Sequence, residues 1–208
     1  MKLVRYLLAC AACVFASPAV AHHPIGSVTP SSLTEGLLSG LGHPIIGIDH
    51  LLFILASGVV VFYFGQRARM LVALSVGAMA GTLAHVQWPG LPYHDGLVAL
   101  SLVLLGVLMV RRDTLLSHAG AAGVFAVSGI AHGYAYGEAI VGAEATPLLA
   151  YLAGFTLIQL ALALSAFAAV GYLSVRAPRL DVLKVTGTAL SIAGAAILCF
   201  ALLPQIIA

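Results

Sequence analysis

Six stretches of the chain are apolar on all sides rather than along one stripe: Pro44 to Phe64, Met70 to Trp88, Pro92 to Val110, Leu115 to Tyr136, Pro147 to Tyr172 and Val182 to Leu203. A helix on the surface of a soluble core repeats its apolar residues every three to four positions and keeps a polar back. These runs have no polar back, and each is close to the roughly 20 residues that cross a hydrocarbon core of about 30 Å. They predict an all-α membrane protein with six transmembrane helices. Pro44, Pro92 and Pro147 open alternate spans, at the first helical position, where a missing N–H removes no helical bond. Thr146 is the expected N-cap of the fifth span.

Two segments precede the spans. Lys2 and Arg5 stand before a short apolar run, Leu7 to Phe15, and Ala19-Val20-Ala21 supplies a small-x-small cleavage pattern, so residues 1–21 read as a cleavable signal peptide. Residues 22–42 then form an outer N-terminal segment, and 43–208 the six-helix permease domain. Within that segment Ser32 is followed three residues later by Glu35, a capping box, and Leu33, Leu37, Leu38 and Leu41 recur at helical spacing. The stretch Ser31 to Gly42 is too short to span and predicts a helix lying at the interface.

Composition supports this assignment: 62% of the 208 residues are hydrophobic and 8% charged, where a soluble domain carries about 25% charged residues. The few charges are informative by position. Arg67 and Arg69 fall between spans one and two, Arg111 and Arg112 between three and four, and Arg176, Arg179 and Lys184 between or beside five and six, all on one side of a six-span threading. By the positive-inside rule that side is the cytoplasm. Both termini of the mature chain are then periplasmic, in a bacterial inner membrane. The opposite side carries Glu35, His94, Asp95 and Glu144, with Trp88 and Tyr93 at interfacial depth. Of the three cysteines, Cys10 and Cys13 leave with the signal peptide, and Cys199 alone excludes a disulfide or a thiolate metal site within one subunit.

Against this apolar background the ionisable groups stand out, because a carboxylate or imidazole inside a membrane is costly unless it meets a cation, a proton or another polar group. His43 and His50, seven residues apart, share one face of a continuous helix about 10 Å apart along its axis, with Gly47 between them and Asp49 beside His50. Span four carries His132-Gly133-Tyr134-Ala135-Tyr136-Gly137-Glu138, and span two carries His85 near its outer end. Gly77 and Gly81, and Gly129, Gly133 and Gly137, recur every four residues and let these helices approach closely. His94 and His118 read as interfacial residues. Signal cleavage would leave His22-His23 at a new terminus, where an amine and imidazole either chelate a divalent ion or form a plain polar end.

Imidazoles and carboxylates without thiolates suit nickel, cobalt, zinc or manganese rather than copper(I). No glycine-rich phosphate loop with its lysine accompanies them. The residues resemble the HupE/UreJ family of hydrogenase and urease accessory permeases. The most specific match is His43-x5-Asp49-His50; the second is His132 to Glu138, where Tyr136 stands in place of a second histidine. The resemblance implies import of Ni²⁺, or Co²⁺, with the ion as cargo and no prosthetic group. His43, Asp49, His50, His132 and Glu138 would then form the metal path, with His85 nearby and His22 and His23 capturing the ion. The expected partners are a divalent ion and the bilayer, not nucleic acid, and a homo-oligomer stays open. The protein is expected not to be an enzyme. The alternatives are an intramembrane metal hydrolase, which lacks a His-Glu-x-x-His pair here, and an accessory protein that binds metal without moving it.

Overall fold

The computed structural model describes residues 28–64, 67–112 and 118–207, and all of its regular structure is helical. The helices are α1 (Leu33–Ile46), α2 (Ile48–Phe64), α3 (Arg67–Gln87), α4 (His94–Arg111), α5 (His118–Gly137), α6 (Ala145–Arg176) and α7 (Val182–Ile207), with a 3₁₀ turn, Glu138–Ile140, after α5. The expected signal peptide, with His22 and His23, lies outside the described residues.

Four of these helices are long and apolar enough to cross a membrane (α3, α4, α6 and α7), and a fifth crossing is counted if α1 and α2 form one broken span. The six-span expectation is thus matched for four or five. α5 is rich in Gly, Ala, His and Tyr rather than in large aliphatic residues, which lowers its hydropathy while its small residues serve packing. The first span also differs from its expected form. Instead of an interfacial helix followed by a helix opening at Pro44, α1 runs through His43 and Pro44 to Ile46, stops at Gly47, and meets α2 at an angle of 80°. The capping box is present in a shifted form: Ser32 Oγ accepts the Glu35 N–H at 3.2 Å, while Glu35 Oε2 accepts from Ser31 N–H and Oγ at 2.7 and 2.9 Å. Glu144, not Thr146, occupies the N-cap of α6 and makes no side-chain cap bond.

Small residues set the helix pairing. A Cβ on Gly77 would strike the Ala126 carbonyl, on Gly129 the Leu74 carbonyl and on Gly133 the Ala78 backbone. α3 and α5 therefore run parallel with their glycine faces together, and the packing expectation drawn from the glycine spacing holds. α4 and α7 run antiparallel, Gly106 meeting Gly187 and Ser191, and Gly194 meeting Ala99 and Leu102. α1 and α2 both run alongside α6: Gly36 faces Pro147, Gly40 faces Tyr151 and Gly58 faces Ala163. The bend lets the longer path from Gly40 to Gly58 match the shorter path from Tyr151 to Ala163 on α6. α2 lies at the middle, touching α1, α3, α4, α6 and α7. Its Phe53, Ile54 and Val61, with Leu102, Leu105 and Phe125, form the apolar centre.

These directions place Arg69, Arg111, Arg112, Arg176, Arg179 and Lys184 at one end of the bundle, as the charge pattern predicts for the described residues. Arg112 and Asp181 form an ion pair there, joining the end of α4 to the start of α7. The Lys184 N–H, with Arg112 and Lys184 as nearby cations, holds the Asp181 carboxyl below its ordinary range. Leu83, Leu104, Val127, Leu149, Leu157 and Ile192 point outward, an apolar exterior suited to lipid rather than to water.

Candidate metal site

Gly47 shapes the polar end of the bundle. α1 closes with the Gly47 N–H donating to the His43 carbonyl at 3.1 Å, and α2 opens with the Leu51 N–H donating to the Gly47 carbonyl at 2.9 Å. The bend between them folds His43 back on His50, so their ring centroids are 5.6 Å apart rather than about 10 Å apart along one continuous helix. The sequence placed both histidines on one face; the break brings them together. Gly47 is also required sterically, since a Cβ there would fall on the His50 ring.

The imidazoles are locked by a chain of hydrogen bonds from α4 through α5 to α2. The Ser101 hydroxyl donates its single proton to the Val98 carbonyl at 2.7 Å. It therefore accepts from His132 Nε2–H at 2.9 Å, which leaves the lone pair of neutral His132 on Nδ1. His50 Nδ1, 2.8 Å from His132 Nδ1, must then be the donor, and neutral His50 carries its lone pair on Nε2. Asp49 Oδ1 lies 3.9 Å from that nitrogen and accepts the His50 backbone N–H at 2.8 Å. Each tautomer follows from its neighbour, because a carbonyl can only accept and a hydroxyl has one proton to give.

Burial grades across this chain. His43, His50 and His132 are 2%, 1% and 1% exposed, whereas the Asp49 side chain is 15% exposed and forms the open edge. Tyr136 fills the space behind, its ring 5.1 Å from that of His43 and 4.6 Å from that of His50. The Tyr136 hydroxyl is buried without a hydrogen-bond partner, and its backbone carbonyl accepts the Tyr151 hydroxyl at 2.7 Å. Phe53 covers His132, with ring centroids 4.4 Å apart.

His43, Asp49, His50 and His132 are therefore gathered in one place. His85 and Glu138 are not with them. Tyr134 and Tyr136 are two residues apart and so point to opposite sides of α5; His85 packs on the Tyr134 side, 4.4 Å between centroids. Glu138 is exposed in the 3₁₀ turn and acts electrostatically on His85. Among the described residues, no three His, Cys, Asp or Glu side chains close round a common point. The local arrangement is the Asp49 carboxylate 3.9 Å from His50 Nε2. Two donors on one ion stand about 3.0–3.4 Å apart, given bonds of about 2.0–2.2 Å, so a small rotation of Asp49 would bring this pair into range.

Ser101, Tyr151 and Phe53 were not singled out in the sequence. Ser101 follows His94 by seven residues and so shares its face on α4, a faint signal. Tyr151 and Phe53 look like ordinary apolar residues and become site residues only through packing.

A family model described as "HupE / UreJ protein" matches residues 10–197. The chain is also 30% identical over 188 residues, 88% of its own length and 92% of the relative's, to "Protein HupE" of Rhizobium leguminosarum bv. viciae. The chain belongs to the HupE/UreJ family. HupE/UreJ proteins are hydrogenase and urease accessory proteins, an accessory or permease family rather than a catalytic one, and membership fits a metal transport or accessory role. No solved structure matches the chain.

Proposed function

We propose that this HupE/UreJ protein is an inner-membrane permease that carries Ni²⁺, or Co²⁺, from the periplasm to the cytoplasm. The observation that carries the reading is the buried Ser101–His132–His50 chain, which sets the His50 ring with Nε2 3.9 Å from the Asp49 carboxylate. A His partner on the far nitrogen of a ligating imidazole fixes its orientation and raises its basicity. Asp49 and His50 are the ligand pair in this reading, His43 lies at the bend beside them, and His132 orients His50 or joins the ion as it moves.

The direction of transport is inferred from the two ends of the bundle. Asp49 lies opposite the basic end, and positive residues favour the cytoplasmic face. A dication entering at Asp49 would then move toward the cytoplasm, where two charges crossing about 100 mV gain roughly 4.6 kcal/mol. In this topology α5 is the fourth of six crossings, shielded from lipid on its glycine face by α3. The signal peptide precedes the spans, and His22 with His23 would act as an outer capture pair.

The test is nickel and cobalt accumulation in cells that depend on the protein for uptake, with membrane insertion measured alongside. Asp49→Ala should insert normally and lose accumulation. Normal accumulation by that variant would contradict the site assignment.

A further inference from the structure

We propose a second divalent-cation site on the opposite side of α5, built from His94 and Asp95 with His85 behind them. The choice of ion class rests on the transport reading; the geometry of the site does not use the ligands at Asp49 and His50.

His94 and Asp95 open α4, as Asp49 and His50 open α2. His94 Nδ1 lies 3.1 Å from the Leu91 carbonyl, and since a carbonyl only accepts, Nδ1 carries the proton. The lone pair of neutral His94 is therefore on Nε2, which is 3.4 Å from Asp95 Oδ1. Two electron-rich atoms facing each other repel unless a proton or a metal lies between them. Their separation is at the upper limit of the about 3.0–3.4 Å kept by nitrogen and oxygen donors on one ion.

His85 stands behind this pair and is not gathered with it round a common point. Its ring is 6% exposed, and its Nδ1 is buried with no hydrogen-bond partner. The His85 and His94 ring centroids are 6.2 Å apart with planes at 89°. The Glu138 carboxylate adds negative charge near His85.

The surrounding structure holds these groups in register. His85 packs over Gly137, where a Cβ would strike its ring. The Tyr134 hydroxyl donates to the Trp88 carbonyl at 2.7 Å and accepts the Leu91 N–H at 2.9 Å, pinning the loop that carries His94. That loop borders an open cleft of about 250 Å³ lined by Leu91, His94 and Asp95 among others, wide enough to admit a hydrated ion to His94 and Asp95.

The experiment is cobalt(II) binding to the purified full chain in detergent, counted by metal analysis and followed by the visible spectrum of bound cobalt. His94→Ala and Asp95→Asn, on a half-buried and an exposed side chain, should each bind one equivalent fewer than wild type and retain the component lost by the paired substitution of Asp49→Ala and His50→Ala. Unchanged equivalents in both His94→Ala and Asp95→Asn would overturn the second site. The Asp49→Ala, His50→Ala chain reports separately on the first site: an unchanged count there would contradict the transport ligands and leave this site standing.

Discussion

His50 and His132 face each other through their Nδ1 atoms, 2.8 Å apart, across the gap between α2 and α5. The contact fixes the orientation of the His50 ring, since His132 is itself fixed by Ser101. His132→Ala should therefore free the His50 ring to turn, lowering metal affinity or uptake about 10–100-fold, the usual range for an outer partner of a ligating histidine. His132→Gln, whose amide oxygen can accept from Nδ1, should recover part of that loss. Equal activity of His132→Ala and wild type would contradict the orienting contact.

Ser101 is the remote end of the same chain. Ser101→Ala removes the acceptor for His132 Nε2–H and leaves a buried donor unpaired, at a cost of about 1–3 kcal/mol. Uptake should fall with a raised KM, and thermal unfolding in detergent should move down. A Ser101→Thr chain, which keeps the hydroxyl, should retain more of both.

Tyr136→Phe distinguishes packing from chemistry. The hydroxyl has no hydrogen-bond partner, so its removal breaks no bond and should leave the thermal midpoint unchanged or higher. Metal affinity should fall if the hydroxyl meets the ion or its water, as its position between His43 and His50 implies. Binding measured by calorimetry beside the melting curve separates the two effects.

Glycine substitutions on α5 should split by face. Gly133→Ala would drive a methyl into the Ala78 backbone, whereas a Cβ on Gly123 meets nothing within 4 Å. The first should unfold at lower temperature or fail to assemble. The second should gain stability, because alanine in a helix is better than glycine by about 0.5–1 kcal/mol.

Asp181 gives a pH-dependent marker at the basic end. Its carboxyl is held below its ordinary range, so its contribution is present above the unfolded value, about 3.9, and is lost as pH falls through the lower folded value. The melting difference between wild type and Asp181→Asn should therefore be present at neutral pH and vanish in strong acid.

Much of this arrangement was written in the sequence, and the exceptions have physical causes. Apolar run length and the placement of Arg112, Arg176 and Lys184 gave the bundle and its basic end, because bilayer thickness and charge costs act on composition directly. The glycine spacing of α3 and α5 gave their close packing, since a missing Cβ has one steric meaning at an interface. The break at Gly47 was not legible: Gly and Pro in membrane helices are tolerated when neighbours satisfy the backbone, so Pro44 and Gly47 fit a straight helix as well as a bent one. Residues 43–50 were read as a polar cluster on one helix, which put His43 too far from His50. Glu138 was placed with His132, and the structure leaves it exposed in the 3₁₀ turn after Gly137. Ser101 was missed because hydrogen bonds between distant helices leave no periodicity to read.

Metal flux across a membrane reconstituted with this protein alone tests the central claim most directly. Proteoliposomes holding the wild-type chain, under a potential negative inside, should accumulate radiolabelled nickel or cobalt, and Asp49→Asn proteoliposomes with the same protein content should not. Accumulation by the two at the same rate, or by neither while both bind the ion, would contradict transport through the Asp49–His50 pair.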